Sequence, residues 1–155
     1  MSGKILVPID LNHEAVIQGV LQQAKEIAGV RDATIDLLTV VPDLDMGVMP
    51  YISRDQVESL TNTAQKRLED VAREQLGNAF EWKADAVMGR IARTIIDIAE
   101  KRDADLIIMA SHNPAFSDLL FGSVASQVVR HAKRSVLIVR PNAAESSEKD
   151  NHDSV

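Results

Sequence analysis

Five short apolar runs alternate along the chain with segments whose apolar residues recur at helical spacing, and this alternation limits the possible folds more than any other feature. The runs cover residues 4–10 (KILVPID), 33–41 (ATIDLLTVV), 80–88 (FEWKADAVM), 104–110 (ADLIIMA) and 135–139 (SVLIV). The first and fourth are typical of parallel strands buried on both faces, whereas the third alternates and predicts a less buried strand. Because strands that alternate with helices form open, mainly parallel sheets, the sequence predicts an α/β domain with helices on both faces.

Four amphipathic segments separate these runs and predict four helices. The first begins after a candidate N-cap at Asn12 and stops at Gly29, and the second begins at a capping box of Ser53 and Gln56 and stops at Gly77. The third covers residues 90–102 after a break at Gly89, and the fourth covers residues 123–133. In open sheets of this kind, ligands bind beyond the carboxyl ends of the strands. This rule places Pro8–Asp10, Val40–Val41 and Ala110–Asn113 along one crevice.

Charge and cysteine content exclude several classes of function. The 155 residues carry a net charge of −6 without a cluster of Lys and Arg, so a nucleic-acid partner is not expected. The absence of cysteine excludes disulfides and thiol chemistry and fits a reducing compartment. No apolar run is long enough to span a bilayer, and the first residues lack a signal-peptide pattern, so we expect a cytoplasmic protein without membrane insertion. The four histidines have no metal-ligand spacing, and no metal site is expected among them.

The end of the chain differs in composition from the rest. PNAAESSEKDNHDSV has almost no apolar content and carries four acids against one lysine. Such a composition cannot bury enough apolar surface to fold. We therefore expect one folded domain at residues 1–140 and a disordered acidic tail at residues 141–155.

The loop between the fourth strand and the last helix carries the clearest functional signal. MASHNPAFSDLLFGS (109–123) is polar and turn-prone, and it reaches the helix through Gly122 and Ser123. A helix N-terminus offers unpaired N–H groups and partial positive charge, and a glycine lets an anion approach the backbone, so this loop could cradle a phosphate. Gly-Ser pairs also start helices without any ligand, and that alternative stays open. No Walker A loop and no G-x-G-x-x-G fingerprint occurs in the sequence.

Four segments of the chain together resemble the universal stress protein family. They are KILVPID, LLTVV, DADLIIMASHNP and LLFGSVASQVVRHAKRSVLIVRP. The resemblance covers residues 3–140. It implies an open five-stranded parallel sheet of order 3-2-1-4-5 with helices on both faces, a Rossmann-like fold similar to the adenine nucleotide alpha hydrolases.

Members of the ATP-binding branch of that family carry the pattern G-x2-G-x9-G-[ST] between the fourth strand and the last helix. In this sequence Ala110 stands at the first glycine, Asn113 at the second, Gly122 at the third and Ser123 at the final position. Both early glycines are therefore replaced, and eight residues separate Asn113 from Gly122. Asn tolerates the left-handed backbone that glycine adopts, and family members with an A-S-H-x-P form of this loop look similar and include nucleotide binders.

The resemblance assigns roles in ATP binding to the strand ends and to the start of the last helix. Pro8 shapes the pocket, Asp10 contacts the ribose or adenine side, Val40 offers backbone hydrogen bonds to adenine, Met109 and Ala110 line the nucleoside floor, His112 and Asn113 lie near the phosphates, and Gly122, Ser123, Val124 and Ala125 supply phosphate-facing N–H groups. Mg²⁺ is expected to arrive with the phosphates. Without the resemblance, Asp10 also suits a helix cap and His112 a solvated loop position.

The last strand predicts self-association. As the final strand, SVLIV could form an exposed sheet edge, which is prone to association. In the resembled family this strand pairs with its copy across a two-fold axis, and a contact of that symmetry is self-complementary. The resemblance therefore implies a homodimer centred on Val136, Leu137, Ile138 and Val139.

The resemblance favours an ATP-binding regulatory module of the stress response. ATP would order residues 110–122 and change the surface presented to an unidentified protein partner. No nucleophile–base pair and no paired carboxylates stand in the predicted crevice, so activity beyond slow ATP hydrolysis is not expected. Two alternatives stay open: a slow ATP hydrolase that uses the same pocket, and a nucleotide-free dimeric interaction protein, which the replacements at Ala110 and Asn113 favour.

Overall fold

A computed structural model describes residues 3–43, 53–111 and 122–140, which form one five-stranded sheet with four helices. The elements in chain order are β1 (Lys4–Pro8), α1 (Glu14–Arg31), β2 (Thr34–Pro42), α2 (Arg54–Gln75), β3 (Trp82–Gly89), α3 (Ile91–Lys101), β4 (Leu106–Ala110), α4 (Ser123–His131) and β5 (Ser135–Val139). None of these helices is both long and apolar enough to cross a membrane. The predicted tail at 141–155 lies outside the described residues, as do residues 44–52.

All five strands run parallel in the order β3-β2-β1-β4-β5, which confirms the predicted fold. Ile5 in the central strand β1 pairs with Ile35 of β2 on one side and with Leu106 of β4 on the other. The chain thus builds the sheet outward from β1 to β3, returns to the other side of β1 and continues to β5. The strand order reverses between β1 and β4, the place where ligands bind in open sheets of this class.

Alternate side chains of the central strand enter two separate cores. Ile5 and Val7 pack in the core that α1 and α2 cover, while Leu6 packs in the core that α3 and α4 cover. Each of the three is at most 1% exposed, which explains why β1 reads as a continuous apolar run. The edge strand β3 is only partly buried along most of its length, as its alternating sequence predicted.

The capping signals of α2 are confirmed. The Ser53 hydroxyl accepts a hydrogen bond from the Gln56 backbone N–H at 3.2 Å, and the Gln56 side chain accepts one from the Ser53 N–H at 2.9 Å. At the other end, Gly77 adopts a φ of +54° and its N–H bonds the Ala72 carbonyl. A left-handed glycine just beyond the last turn is the expected way for a helix to stop.

Both predicted ends of α1 were wrong. The helix continues through Gly29 to Arg31, and Asp32 takes the left-handed conformation (φ 51°) that ends it. Asp tolerates that conformation because its short polar side chain can bond locally. At the start, the N-cap is His13 rather than Asn12, and the His13 side chain makes no capping hydrogen bond.

Other predicted strand boundaries shift because β1 and β4 each cover only part of the corresponding apolar run. β1 ends at Pro8, and β4 starts only at Leu106, since the Ala104 N–H still bonds the Ala99 carbonyl at the end of α3. The last helix ends at His131. Gly89 is the final residue of β3, and a Cβ there would clash with the Thr94 hydroxyl.

The two edges of the sheet differ in how their outward-facing backbone groups are covered. The Gln65 side chain of α2 reaches β3, donating to the Ala84 carbonyl at 2.7 Å and accepting from the Ala86 N–H at 2.6 Å. These bonds occupy the edge of β3 in the way that a further strand would. On the opposite side, β5 pairs only with β4 within the described residues.

A charged cluster ties the end of α3 to the sheet. Arg102 Nη1 donates to both carboxylate oxygens of Asp36 in β2, at 2.8 and 2.9 Å, and Arg102 Nη2 lies 3.0 Å from Asp85 of β3. Partial burial by itself lowers the pKa of the Arg102 guanidinium, but hydrogen bonding and charge attraction from Asp36, and then from Asp85, raise the pKa above its usual value. The Asp36 side chain is only 13% exposed, so Arg102 supplies hydrogen bonds at a position that water reaches poorly.

Replacing Arg102 with alanine should leave the Asp36 carboxylate buried without its cation, and we expect the free energy of unfolding to fall by about 3 kcal/mol. The matched control is Arg93→Ala, because Arg93 pairs with Asp97 on the exposed surface of α3, where the loss should stay under about 0.5 kcal/mol. Urea denaturation followed by circular dichroism measures both values. Equal losses in the two variants would contradict the role given to Arg102.

Candidate functional site

A cavity of about 590 Å³ opens at the carboxyl ends of the central strands. Its wall combines the end of β1 and the following loop, the ends of β2 and β4, and the first turn of α4. This is the crevice at the reversal of strand order, where the sequence placed its candidate residues.

Most of the predicted nucleotide-binding residues line this one cavity. They are Pro8, Asp10, Val40, Met109, Ala110, Gly122, Ser123, Val124 and Ala125. The two others, His112 and Asn113, lie outside the described residues. The structure therefore brings together residues that are more than 110 positions apart in the sequence.

The loop after β1 holds Asp10 at the rim of the cavity. Asp10 Oδ1 accepts a hydrogen bond from the Asn12 N–H at 3.0 Å, and Oδ2 lies 2.7 Å from His13 Nδ1. The Asp10 carbonyl accepts from the His13 N–H, which closes a turn. Asp10 therefore orders the turn before α1, while the N-cap position itself belongs to His13.

The backbone of Val40 is directed toward the cavity side of the sheet. In β2, the Thr34 N–H and the Leu38 carbonyl bond to the β1 side, so the even-numbered residues turn their backbone polar groups toward β1. The pairing with β1 ends where Pro8 lies opposite Leu38. The N–H and C=O of Val40 therefore point past the last β1 pair, where a ligand can meet them.

The first turn of α4 presents backbone donors to the cavity. Gly122 is its N-cap and has no side chain to cap the helix, and no acidic residue occupies the first turn. The Ser126 N–H is the first that bonds back, to the Gly122 carbonyl at 2.9 Å. The N–H groups of Ser123, Val124 and Ala125 have no partner within the helix, so this end suits an anion.

Two further walls of the cavity were missed by the sequence reasoning. The outer part of α2 contributes Leu60, Thr63, Ala64 and Arg67, and α3 contributes Ile91 and Ile95. The α2 residues share one face by their spacing of three and four, but the sequence does not show that this face extends over a ligand site. Arg67 also binds the loop after β1, because its Nη2 donates to the Leu11 carbonyl at 2.9 Å.

The cavity is mainly apolar and carries few charges. Asp10 and Arg67 are the two charged side chains among the described residues that line it. Within residues 3–43, 53–111 and 122–140, no three His, Asp or Glu side chains come together in a way that could hold a metal ion. Such a cavity suits a ligand with a flat apolar part and an anionic part.

Comparison with known proteins gives the same fold. The sequence model of the Universal stress protein family matches residues 1–140. This chain belongs to that family. Universal stress protein G of Salmonella typhimurium is 30% identical over 143 residues, which cover 90% of this chain and 100% of that protein. Universal stress protein MJ0577 of Methanocaldococcus jannaschii is 27% identical over 157 residues, covering 90% of this chain and 96% of that protein.

Solved structures of the family share the architecture. The structure of MJ0577 matches with a TM-score of 0.76 at 28% identity, covering 92% of this chain and 98% of that one. Two more distant family structures contain nucleotides. The Archaeoglobus fulgidus protein in complex with dAMP has a TM-score of 0.62 at 19% identity, covering 88% of this chain and 97% of that one. A universal stress protein in complex with cAMP has a TM-score of 0.57 at 22% identity, covering 91% and 98%.

Replacing Arg67 with methionine removes the bond to the Leu11 carbonyl and should loosen the loop that carries Asp10. We expect the amide hydrogens of Asn12 and His13 to exchange about fivefold faster, as the loss of one hydrogen bond of about 1 kcal/mol implies. Lys66→Met is the control, because Lys66 is exposed on the same helix. Hydrogen exchange measured by NMR decides the matter, and unchanged rates in Arg67→Met would refute the tether.

Proposed function

We propose that this universal stress protein is a cytoplasmic protein that binds ATP with Mg²⁺ in the cavity and acts as a nucleotide-dependent binding module. One observation supports the proposal: the first turn of α4, whose N–H groups have no partner within the helix, lines the same mainly apolar cavity as Val40 and Asp10. A nucleotide offers a group for each of them, namely phosphate, base and sugar.

The phosphates would lie against the start of α4. The N–H groups of Ser123, Val124 and Ala125 donate to phosphate oxygens, and the partial positive charge of the helix end favours the anion. Gly122 carries no Cβ, so the phosphate can approach the backbone. The Ser123 side chain is exposed, and its hydroxyl can donate to a phosphate oxygen as well.

The nucleoside would lie over the ends of β2 and β4. Adenine presents an amino donor beside ring-nitrogen acceptors, which matches the C=O and N–H of Val40. Met109 and Ala110 supply apolar surface beneath the ring system. The Asp10 carboxylate only accepts hydrogen bonds when ionised, so it suits a donor such as a ribose hydroxyl.

Mg²⁺ would be held mainly by the phosphates and water. The described part of the cavity has a single carboxylate, that of Asp10, and Mg²⁺ in nucleotide sites usually keeps several waters and binds phosphate oxygens. The nucleotide complexes of the dAMP-bound and cAMP-bound relatives support the proposal at the level of the family.

A regulatory role is favoured over efficient catalysis. Asp10 and Arg67 are the charged side chains of the described cavity, and neither is paired with a nucleophile there. Positioning of phosphate and water by backbone groups is compatible with slow hydrolysis at most. In this proposal, bound ATP alters the segment between Ala110 and Gly122 and thereby the surface offered to a protein partner.

Ser123→Asp places a carboxylate where the phosphates would bind and should raise the Kd for ATP with Mg²⁺ about 100-fold, since two anions would share one helix end. Asp at this position favours the helix dipole, so folding should be preserved. Adenosine should bind the variant as it binds the wild type. Ser123→Ala is the control, with an increase in Kd of about fivefold or less. Isothermal titration calorimetry measures all of these affinities.

The Ser123→Asp variant also tests the alternative of a nucleotide-free interaction protein. Mass spectrometry of protein denatured directly after purification should recover adenine nucleotide from the wild type and little from Ser123→Asp. An empty wild-type cavity together with no calorimetric binding of ATP and Mg²⁺ would reject ATP binding and favour that alternative, in which the Ala110 methyl group replaces a glycine of the family pattern.

We further propose that β5 pairs with its copy in a homodimer. The Ser111 N–H bonds the Val139 carbonyl on the β4 side, so Ile138 and Val136 direct their backbone groups outward. Val136, Leu137, Ile138 and Val139 are only partly buried in the single chain. The Gln65 side chain covers the β3 edge, which leaves β5 as the edge that suits a second copy.

Ile138→Pro removes an outward N–H of β5 and should convert the dimer to a monomer. Light scattering after size exclusion should give twice the chain mass of 17.0 kDa for the wild type and the single chain mass for the variant. Ile138→Ala keeps the N–H and should remain dimeric. Val136→Pro repeats the test at the other outward residue, and circular dichroism checks that each variant is folded. A monomeric wild type would disprove the dimer.

A further inference from the structure

The His13 ring contacts a residue of the ligand site, although His13 is not among the residues that line the cavity. Its Nδ1 lies 2.7 Å from Oδ2 of Asp10, and Asp10 lines the cavity. His13 is also the N-cap of α1, and its side chain makes no capping hydrogen bond there. Side chains at the N-cap often bond the backbone N–H groups of the first helical turn. The His13 ring instead bonds the Asp10 carboxylate.

The direction of the hydrogen bond follows from the chemistry of the carboxylate. An ionised Asp only accepts hydrogen bonds, so the hydrogen lies on His13 Nδ1, and this N–H donates the hydrogen bond to Oδ2. The other oxygen, Oδ1, accepts from the Asn12 N–H at 3.0 Å. Among the described residues, each oxygen thus has one protein donor, the two donors fix the plane of the carboxylate, and each oxygen retains a lone pair for a further donor.

Stability alone gives little reason for this pair. The side chains of His13 and Asp10 are 40% and 56% exposed, and ion pairs with that much solvent contact contribute little to folding. A short bond to a charged acceptor does restrict how the acceptor can rotate. A carboxylate that is held in one orientation loses less conformational freedom when a ligand binds.

We propose that His13 is a positioning residue that orients Asp10 to accept hydrogen bonds from the ribose hydroxyls of the bound nucleotide. This inference rests on the nucleotide binding proposed above. Asn12 and His13 each bond one oxygen of the carboxylate, and the sugar hydroxyls complete its remaining acceptor positions from the cavity. His13 thereby raises affinity for ligands with ribose hydroxyls without touching them.

The test compares ATP with 2′,3′-dideoxy-ATP, which lacks both ribose hydroxyls. In His13→Ala, the Kd for ATP with Mg²⁺ should rise about tenfold, as expected for a lost hydrogen bond to a charged group, while the Kd for the dideoxy analogue should stay unchanged. His13→Asn keeps an N–H donor near the position of Nδ1 and should restore most of the affinity for ATP. In an Asp10→Ala background, His13→Ala should have no further effect.

Two controls separate positioning from a general structural effect. His131→Ala removes an exposed histidine at the far end of α4 and should leave both affinities unchanged. The urea midpoint of His13→Ala should match that of the wild type within error. A purine riboside triphosphate without the amino group tests contact with the base, because it should lose affinity in His13→Ala as ATP does.

The outcomes distinguish this inference from the function on which it rests. A wild-type protein that binds neither ATP nor its analogues rejects the proposed function itself. A wild type that binds ATP, with His13→Ala unchanged or weakened equally for ATP and the dideoxy analogue, overturns the role of His13 alone. A loss that disappears only with the analogue lacking the amino group would place Asp10 against the base and would also overturn it.

Discussion

The pairing of β1 with β2 on one side and β4 on the other determines where everything else lies. Because the chain moves outward from β1 to β3 and then returns across β1, α1 and α2 cover one face of the sheet, and α3 and α4 cover the other. The connections that leave β1 and β4 therefore diverge to opposite faces. The cavity lies between them, at the carboxyl end of the doubly buried strand β1.

The same arrangement explains why backbone groups dominate the site. β1 ends before it reaches Val40. The N–H and C=O of Val40 in β2, which point to the β1 side, therefore have no partner in that strand. Where α4 begins, its first three N–H groups have no carbonyl one turn earlier. These donors and acceptors follow from chain direction and helix geometry, so they persist through changes of side chain. A replacement such as Ala110 for glycine therefore alters the shape of the cavity more than its hydrogen-bonding capacity.

Much of the fold could be predicted from the sequence because local signals and global topology agree. The apolar runs located all five strands, and the capping box of Ser53 and Gln56 located the start of α2.

The errors arose where two local signals compete: Gly29 is tolerated inside α1, while Asp32 supplies the left-handed residue that ends it. The position of strand-end residues such as Asp10 and Ala110 on one cavity could be predicted because the topology gathers them at one edge of the sheet. The wall of the cavity that α2 provides could not be predicted, because no local feature of the sequence shows how far a helix extends past its sheet. Arg67 and His13 contact Leu11 and Asp10, respectively, and such contacts exist only in the folded chain.

The proposed ligand site and the proposed dimer edge are joined by a single pair of strands. Ala110, at the floor of the cavity, pairs with Val139 of β5, and the Ser111 N–H bonds the Val139 carbonyl. A paired ladder moves as a unit, since shifting one strand against its neighbour breaks every bond between them. If the proposed nucleotide moved the end of β4, the end of β5 would have to move with it. The outward backbone groups of β5 lie one residue away, at Ile138, so the β4–β5 ladder links the proposed ligand site directly to the proposed dimer edge.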